Sequence, residues 1–255
     1  MICPICKLEL SKNGNTYKCL NNHSFDISKE GYTNLLISKT NSGDNKESTK
    51  ARYNFLNRGY YDELGMYIKK IINSYNSDLT ILDCGCGIGY YDKFIESNHL
   101  YGLDISKDAI QKAAKINKNV TYIVASSNSI PFKNNYFDLL IYIFAPIFIN
   151  ETKRVLKENG NIIIVTPGPD HLYELKEIMY KNPYHNDDRS NQFDNYELSK
   201  QRLKYSKTLD NTSINDLIKM TPYNYKTNSK DIENITIDKL SVTFDFIINI
   251  YKPNN

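Results

Sequence analysis

The stretch Leu82-Asp83-Cys84-Gly85-Cys86-Gly87-Ile88-Gly89-Tyr90 decides the fold. The run Leu79 to Cys84 that leads into it is short and apolar, as a strand covered on both faces must be. Glycines directly after a strand let the backbone approach a ligand closely. A second β-rich run, Leu100 to Ile105, brings Asp104 nineteen residues after Gly85, where a carboxylate can accept both hydroxyls of a ribose. A dinucleotide site spaces its glycines Gly-x-Gly-x-x-Gly, whereas here they fall at every second residue after an aspartate. Cys84 and Cys86 read as small packing residues within this loop.

Outward from that loop, β-rich runs alternate with helical periodicity. Val120 to Val124, Phe137 to Phe144 and Asn161 to Thr166 read as further strands, with helices near 89–98, 106–116, 150–157 and 170–181. Strand-helix alternation predicts an α/β fold with a doubly wound parallel sheet. The tail differs: Lys200 to Leu209 and Ser241 to Tyr251 read as longer, antiparallel strands around a helix that a Ser213/Asp216 capping box starts and Pro222 stops. Upstream, Phe55, Leu56, Leu64, Ile68, Ile71 and Ile72 recur at helical spacing and break near Gly59, which predicts two short helices.

The first 36 residues lack the apolar stretches of a core, and residues 38–50 contain no large apolar side chain and read as a solvated linker. Three units follow: a metal-binding module at 1–36, linker and helices at 37–75, and the main domain at 76–255. Within the first, Cys3-x2-Cys6-x12-Cys19-x3-His23 offers three thiolates and an imidazole at a spacing that can close a tetrahedron around zinc. Four protein ligands leave no open position, so the metal is expected to be structural. Five cysteines, an odd number for a disulfide framework, point to a reducing cytoplasm. With 32 basic against 29 acidic side chains the net charge is only +3, which excludes nucleic-acid binding by bulk charge. The longest apolar run, Leu139 to Ile149, is shorter than the roughly 20 residues of a membrane span.

The alternate-glycine loop resembles the S-adenosylmethionine loop of class I methyltransferases. Combined with the zinc module, the chain resembles the bacterial large-subunit ribosomal RNA guanine-N1 methyltransferases nearly end to end. Shared positions include Phe25-Asp26, Lys29-Glu30-Gly31-Tyr32, Asn34-Leu35-Leu36, Ala51-Arg52, Phe55-Leu56, Gly59-x-Tyr61, Gly102-Leu103-Asp104-Ile105-Ser106-Lys107, Val124-Ala125-Ser126-Ser127, Pro131-Phe132, Ala145-Pro146, Thr166-Pro167-Gly168-Pro169 with His171-Leu172, and Met220-Thr221-Pro222. The resemblance implies structural zinc on Cys3, Cys6, Cys19 and His23, and S-adenosylmethionine contacts at Tyr61, Asp83, Gly85, Gly87, Ile88, Asp104 and His171. Read from the residues alone, Tyr61 is a core aromatic and His171 a helix-start or surface histidine. The chain departs from the family at Asp170 and near Ile141 to Tyr142, where members carry basic residues, and at Ile147, where they carry cysteine. These departures leave open which of the family's two branches, and so which guanine, applies.

The implied activity is methylation of guanine N1 in a hairpin of 23S ribosomal RNA. N1 bears a proton and lies on the Watson–Crick edge, so the base must be unpaired and its proton accepted. Asp170, His171 and Tyr142 lie in segments that could face the pocket, though none is singled out as the acceptor. Lys200, Arg202 and Lys204 alternate onto one strand face without an acidic sequence neighbour, and Lys39, Lys46, Lys50, Arg52 and Arg58 outnumber Asp44 and Glu47, so both segments are expected to touch phosphates. The resemblance further suggests a homodimer. Methylation of transfer RNA or a small molecule, and a non-catalytic RNA-binding module, are the alternatives.

Overall fold

The computed structural model describes residues 1–37, 46–75, 78–188, 190–221 and 237–254. The amino-terminal module folds β1 (Ser11–Asn13), β2 (Thr16–Lys18) and β3 (Ser24–Asp26) into a small antiparallel sheet. Its last strand, β4 (Thr33–Asn34), leaves that sheet and joins a larger one. Helices α1 (Lys46–Leu56) and α2 (Asp62–Ile72) follow. Then come β5 (Thr80–Cys84), β6 (His99–Asp104), α3 (Lys107–Ile116), β7 (Thr121–Val124), β8 (Phe137–Ile143), α4 (Ile149–Val155) and β9 (Leu156–Pro167). The chain ends with α5 (Tyr173–Met179), β10 (Tyr196–Asp210), α6 (Asn211–Met220) and β11 (Lys239–Pro253).

The large sheet has eight strands in the order β10-β11-β9-β8-β5-β6-β7-β4. From β9 to β4 every pairing is parallel; β11 is antiparallel to β9 and β10 to β11. Strand β5 lies between β6 and β8, so Asp83 faces Gly102 on one side and Ile141 on the other. Chain order reverses there, and such a switch point leaves a crevice beyond the carboxyl ends of the strands. The central strands are buried on both faces, which explains their continuous apolar sequence. Leu64, Ile68, Ile71 and Ile72 line one face of α2 and are all buried, each worth about 1.5–3 kcal/mol relative to exposure.

The module is fastened to this sheet rather than hung from it. Thr33 and Asn34 pair with Ile123 and Val124, the Ile2 amide donates to Pro131 O at 2.9 Å, and Cys3, Leu10 and Cys19 share an apolar cluster with Ile130, Phe132 and Phe137.

Three local expectations are corrected. The helix expected near 89–98 is a single 3-10 turn, Tyr91–Phe94, because its three-residue repeat turns both Tyr91 and Phe94 inward, Phe94 so closely against α2 that a side chain at Gly65 would collide with its ring. Helix α6 is capped by Asp210, whose carboxylate accepts from the Ser213 amide at 2.7 Å; Ser213 is already inside the helix, and Asp216 instead pairs with Arg58 at 2.7 Å. The helix ends at Met220, and Pro222 lies outside the described residues. Strand β9 begins at Leu156, five residues before the expected start, because Leu156 pairs with Phe137 ahead of a register shift.

Candidate active site and zinc centre

A cleft of about 390 Å³ opens beyond the carboxyl ends of β5, β6 and β8. Of the seven residues assigned to a cofactor from the sequence, Tyr61, Asp83, Gly85, Gly87, Ile88 and Asp104 line it. Gly85 sits at φ +77°, and a Cβ there would lie 2.6 Å from the Cβ of Ala145 in the turn after β8, so only glycine fits. Gly89 serves a different end: a side chain would strike the Tyr122 hydroxyl at 2.3 Å, so this third glycine makes room for core packing behind the loop. Asp104 fixes the loop, accepting from the Gly87 amide at 2.9 Å with one carboxylate oxygen and from the Ser106 amide at 2.7 Å with the other.

Beneath the loop, Asp83 and Asp92 face one another, both buried. Burial, the largest cause, pushes the Asp83 carboxyl well above the usual range and raises Asp92 to about 6, so the pair retains a proton to higher pH than isolated carboxylates would. Tyr122 donates to Asp92 Oδ2 at 2.6 Å, while Asp92 Oδ1 is buried without a hydrogen-bond partner among the described residues.

His171 does not line the cleft; it reaches it through Tyr61. The Asp245 amide donates to His171 Nδ1 at 3.2 Å, which leaves the proton on Nε2, 3.3 Å from Tyr61 Oη. Burial lowers the imidazole to about 3, so it is neutral at physiological pH. Its loop is clamped by Asp245, which binds Arg202 through Nε at 2.7 Å and Nη2 at 2.8 Å and accepts from the Asp170 amide at 2.9 Å. Asp170 in turn meets Lys204 at 2.7 Å, Arg202 at 3.0 Å and His185 at 3.0 Å.

At the other end of the chain, the Cys6 and Cys19 sulfurs lie 3.6 Å apart, and His23 Nδ1 is 3.5 Å from both Cys3 and Cys19 Sγ. All four ligand atoms fall within 4.8 Å of one another. A zinc tetrahedron with bonds of about 2.0–2.3 Å has edges of roughly 3.5–3.8 Å, so these residues fit the ion. Two turns aim them, closed by the Lys7 amide on Cys3 O at 2.9 Å and the Asn22 amide on Cys19 O at 2.9 Å.

Comparison with known proteins matches both halves. The zinc-ribbon family described as RlmA, N-terminal, matches residues 1–41, and a methyltransferase-domain family matches residues 75–214. The chain is 34% identical over 239 residues, covering 86% of its own length and 85% of the relative's, to "Putative 23S rRNA (guanine-N(1)-)-methyltransferase YxjB" of Bacillus subtilis. The chain belongs to the 23S rRNA (guanine-N1)-methyltransferase family. A Streptomyces fradiae member named 23S rRNA (guanine(748)-N(1))-methyltransferase is 29% identical over 188 residues, 69% of this chain and 66% of that one. In fold, the YcgJ protein of Bacillus subtilis superposes with a TM-score of 0.51 at 16% identity, over 76% of this chain and 99% of that chain. The cofactor of this methyltransferase is therefore S-adenosylmethionine, and its module is a zinc ribbon.

Several features of the methyltransferase escape sequence reading. Asp245 stands between Phe244 and Phe246, a signal that a buried carboxylate with a partner lies there, whereas Asp92 is followed by Lys93 and gives no such signal; the partners of both are distant in sequence. The three side chains offered as proton acceptors are engaged: Asp170 by its three cations, His171 by the Asp245 amide, and Tyr142 by Thr152 at 2.7 Å. Lys200, Arg202 and Lys204 do have acidic neighbours, namely Asp188 at 2.6 Å, Asp245 and Asp170, brought in from other elements. In the second basic segment Arg58 pairs with Asp216 and Arg52 donates to Met220 O at 3.3 Å, while Lys39 and Asp44 lie outside the described residues.

Proposed function

We propose that this chain transfers a methyl group from S-adenosylmethionine to N1 of a guanine in 23S ribosomal RNA. Kinship over 86% of the chain, together with family models that cover the zinc ligands and the glycine loop, carries this reading. Asp104 would orient the ribose of the cofactor, with the Gly85 and Gly87 backbone and Ile88 beside it. Tyr61, held by His171 Nε2 at 3.3 Å, stands at the β8 side of the cleft, beside the methionine end of the cofactor. Bound there, S-adenosylmethionine supplies an electrophilic sulfonium methyl, and alignment of an attacking nitrogen at about 3 Å accounts for much of the rate. Leu56 and the Phe144–Pro146 turn wall the cleft with apolar surface and limit water there.

The RNA must present the guanine turned out of its helix. The zinc ribbon supports phosphate contact through the exposed Lys7, Lys12, Lys18 and Lys29. Lys50 of α1 and Lys112 of α3 add to it; burial is the main cause that lowers the Lys112 amine, Asp108 opposes it and Lys50 adds a smaller repulsion, which a phosphate between the two lysines would relieve. We place the enzyme in the cytoplasm, where ribosomal RNA and reduced thiols coexist; among the described residues no helix is long and apolar enough to cross a membrane. We assign the units as 1–36, 37–75 and 76–255, and infer a homodimer, which sedimentation would detect as a doubled mass.

Primer extension tests the activity. Incubation of unmodified 23S ribosomal RNA with the protein and S-adenosylmethionine is expected to create a new stop at one guanine, since N1 methylation blocks pairing. No stop, with transfer RNA or a small molecule methylated instead, overturns the substrate assignment.

A further inference from the structure

We propose that Phe144 is the platform on which the target guanine stacks, a role that rests on the RNA methyltransferase reading above. Phe144 follows the last residue of β8 at φ +55°, in the left-handed region that a bulky side chain seldom occupies. The backbone is held in that conformation by its amide, which donates to Val165 O at 3.0 Å. Such strain persists where the surrounding structure enforces it, and it gathers at ligand sites. Here it presents a phenyl ring, 43% exposed, on the wall of the cleft.

The ring is braced from behind. It lies nearly parallel to the His171 ring at 6.2 Å, meets Tyr61 edge-on at 6.2 Å, and leans on Phe246 at 5.8 Å. The next residue, Ala145, abuts Gly85, so the turn stands directly beside the glycine loop. The sheet order separates two ends of the cleft: Asp104 ends β6 on one side of β5, while Phe144 follows β8 on the other, next to Tyr61. With the ribose at Asp104, the β8 side remains for the acceptor. A base taken out of its helix loses two stacking partners, and proteins replace them with aromatic faces. A phenyl ring has no hydrogen-bonding group, so Phe144 orients the plane of the base without reading its edge. The bracing rings keep that plane fixed, as in-line attack demands.

Three variants test this with unmodified 23S ribosomal RNA as substrate. Phe144→Leu keeps apolar volume and removes the aromatic face; kcat/KM for RNA should fall on the order of 10-fold or more, mostly through KM, the loss expected for one base–aromatic stack. S-adenosylhomocysteine affinity, measured by calorimetry, should change less than about twofold, and Phe144→Tyr should restore most of kcat/KM. The chain contains no tryptophan, so Phe144→Trp gives a single indole at the site. Its fluorescence should be quenched when RNA is added in the presence of S-adenosylhomocysteine. Unchanged kcat/KM in Phe144→Leu, an equal loss of S-adenosylhomocysteine affinity, or an unquenched indole each overturns the platform while RNA methylation by the wild type leaves the functional reading intact. A wild-type protein that leaves the RNA unmethylated overturns the functional reading and the platform with it.

Discussion

Asp104 holds the Gly87 and Ser106 amides with its two carboxylate oxygens, at the position proposed for the ribose of the cofactor. Asp104→Ala should therefore weaken S-adenosylmethionine binding by about 2 kcal/mol, roughly 30-fold in a calorimetric titration, with the far-ultraviolet spectrum unchanged. His171 makes a pH-dependent contribution. Its imidazole is buried neutral with its pKa lowered to about 3, whereas in the unfolded chain it titrates near 6.5. Between those values the unfolded chain binds a proton that the folded chain does not, so this stability is fully present above about pH 6.5 and is lost as pH falls toward 3. His171→Asn removes the effect. The wild-type advantage over this variant in urea unfolding should shrink between pH 7 and pH 4, and a constant difference would mean the imidazole is not buried. Asp83 and Asp104 are legible from sequence because their position after a strand is local information. The partners Asp92, Asp245 and Arg202 are not, since each meets its counterpart only across the folded sheet.

At the scale of elements, helix α6 shows how local chemistry and packing divide the work. Asp210 caps it, and Ser48 of α1 donates to Lys219 O at 3.2 Å, so the pair α1–α6 packs as one layer that lends Arg52, Leu56 and Met220 to the cleft. Asp210→Ala should lower the unfolding free energy by about 1 kcal/mol, as loss of an N-cap does, read from the urea midpoint. The parallel strands were readable because burial on both faces leaves uninterrupted apolar runs, and α2 because its apolar face recurs at 3.6 residues. The 3-10 turn Tyr91–Phe94 was not, because its shape is imposed by what its rings pack under. Strand β10 illustrates the same limit: its lysines and arginine look free for RNA along the sequence, yet carboxylates from β11 and the loops either side of α5 neutralise them.

For the whole molecule, the zinc ribbon is part of the catalytic unit. Its strand β4 forms the edge of the eight-stranded sheet, Glu30 accepts from Gln111 Nε2 of α3 at 3.0 Å, and Lys118 Nζ donates to Glu30 O at 3.1 Å. Gln111 lies in α3 and Lys118 just after it, in the segment that follows Asp104, so the module braces the β6–α3 side of the cleft. A Cys3→Ser/Cys6→Ser variant should lose its one equivalent of zinc by metal analysis and melt several degrees lower, with β7 amides exchanging faster. An unchanged melting temperature would show that the ribbon folds independently of the sheet.

The sequence by itself determined the α/β alternation, the ribbon ligands and the glycine loop, because each is encoded in residues close together along the chain. Only the tertiary structure decided where the basic strand spends its charge, which carboxylates are buried together, and which aromatic ring faces the cleft. Those outcomes depend on strands far apart in sequence coming within a few ångströms, where desolvation and Coulomb attraction grow strong enough to override local preference.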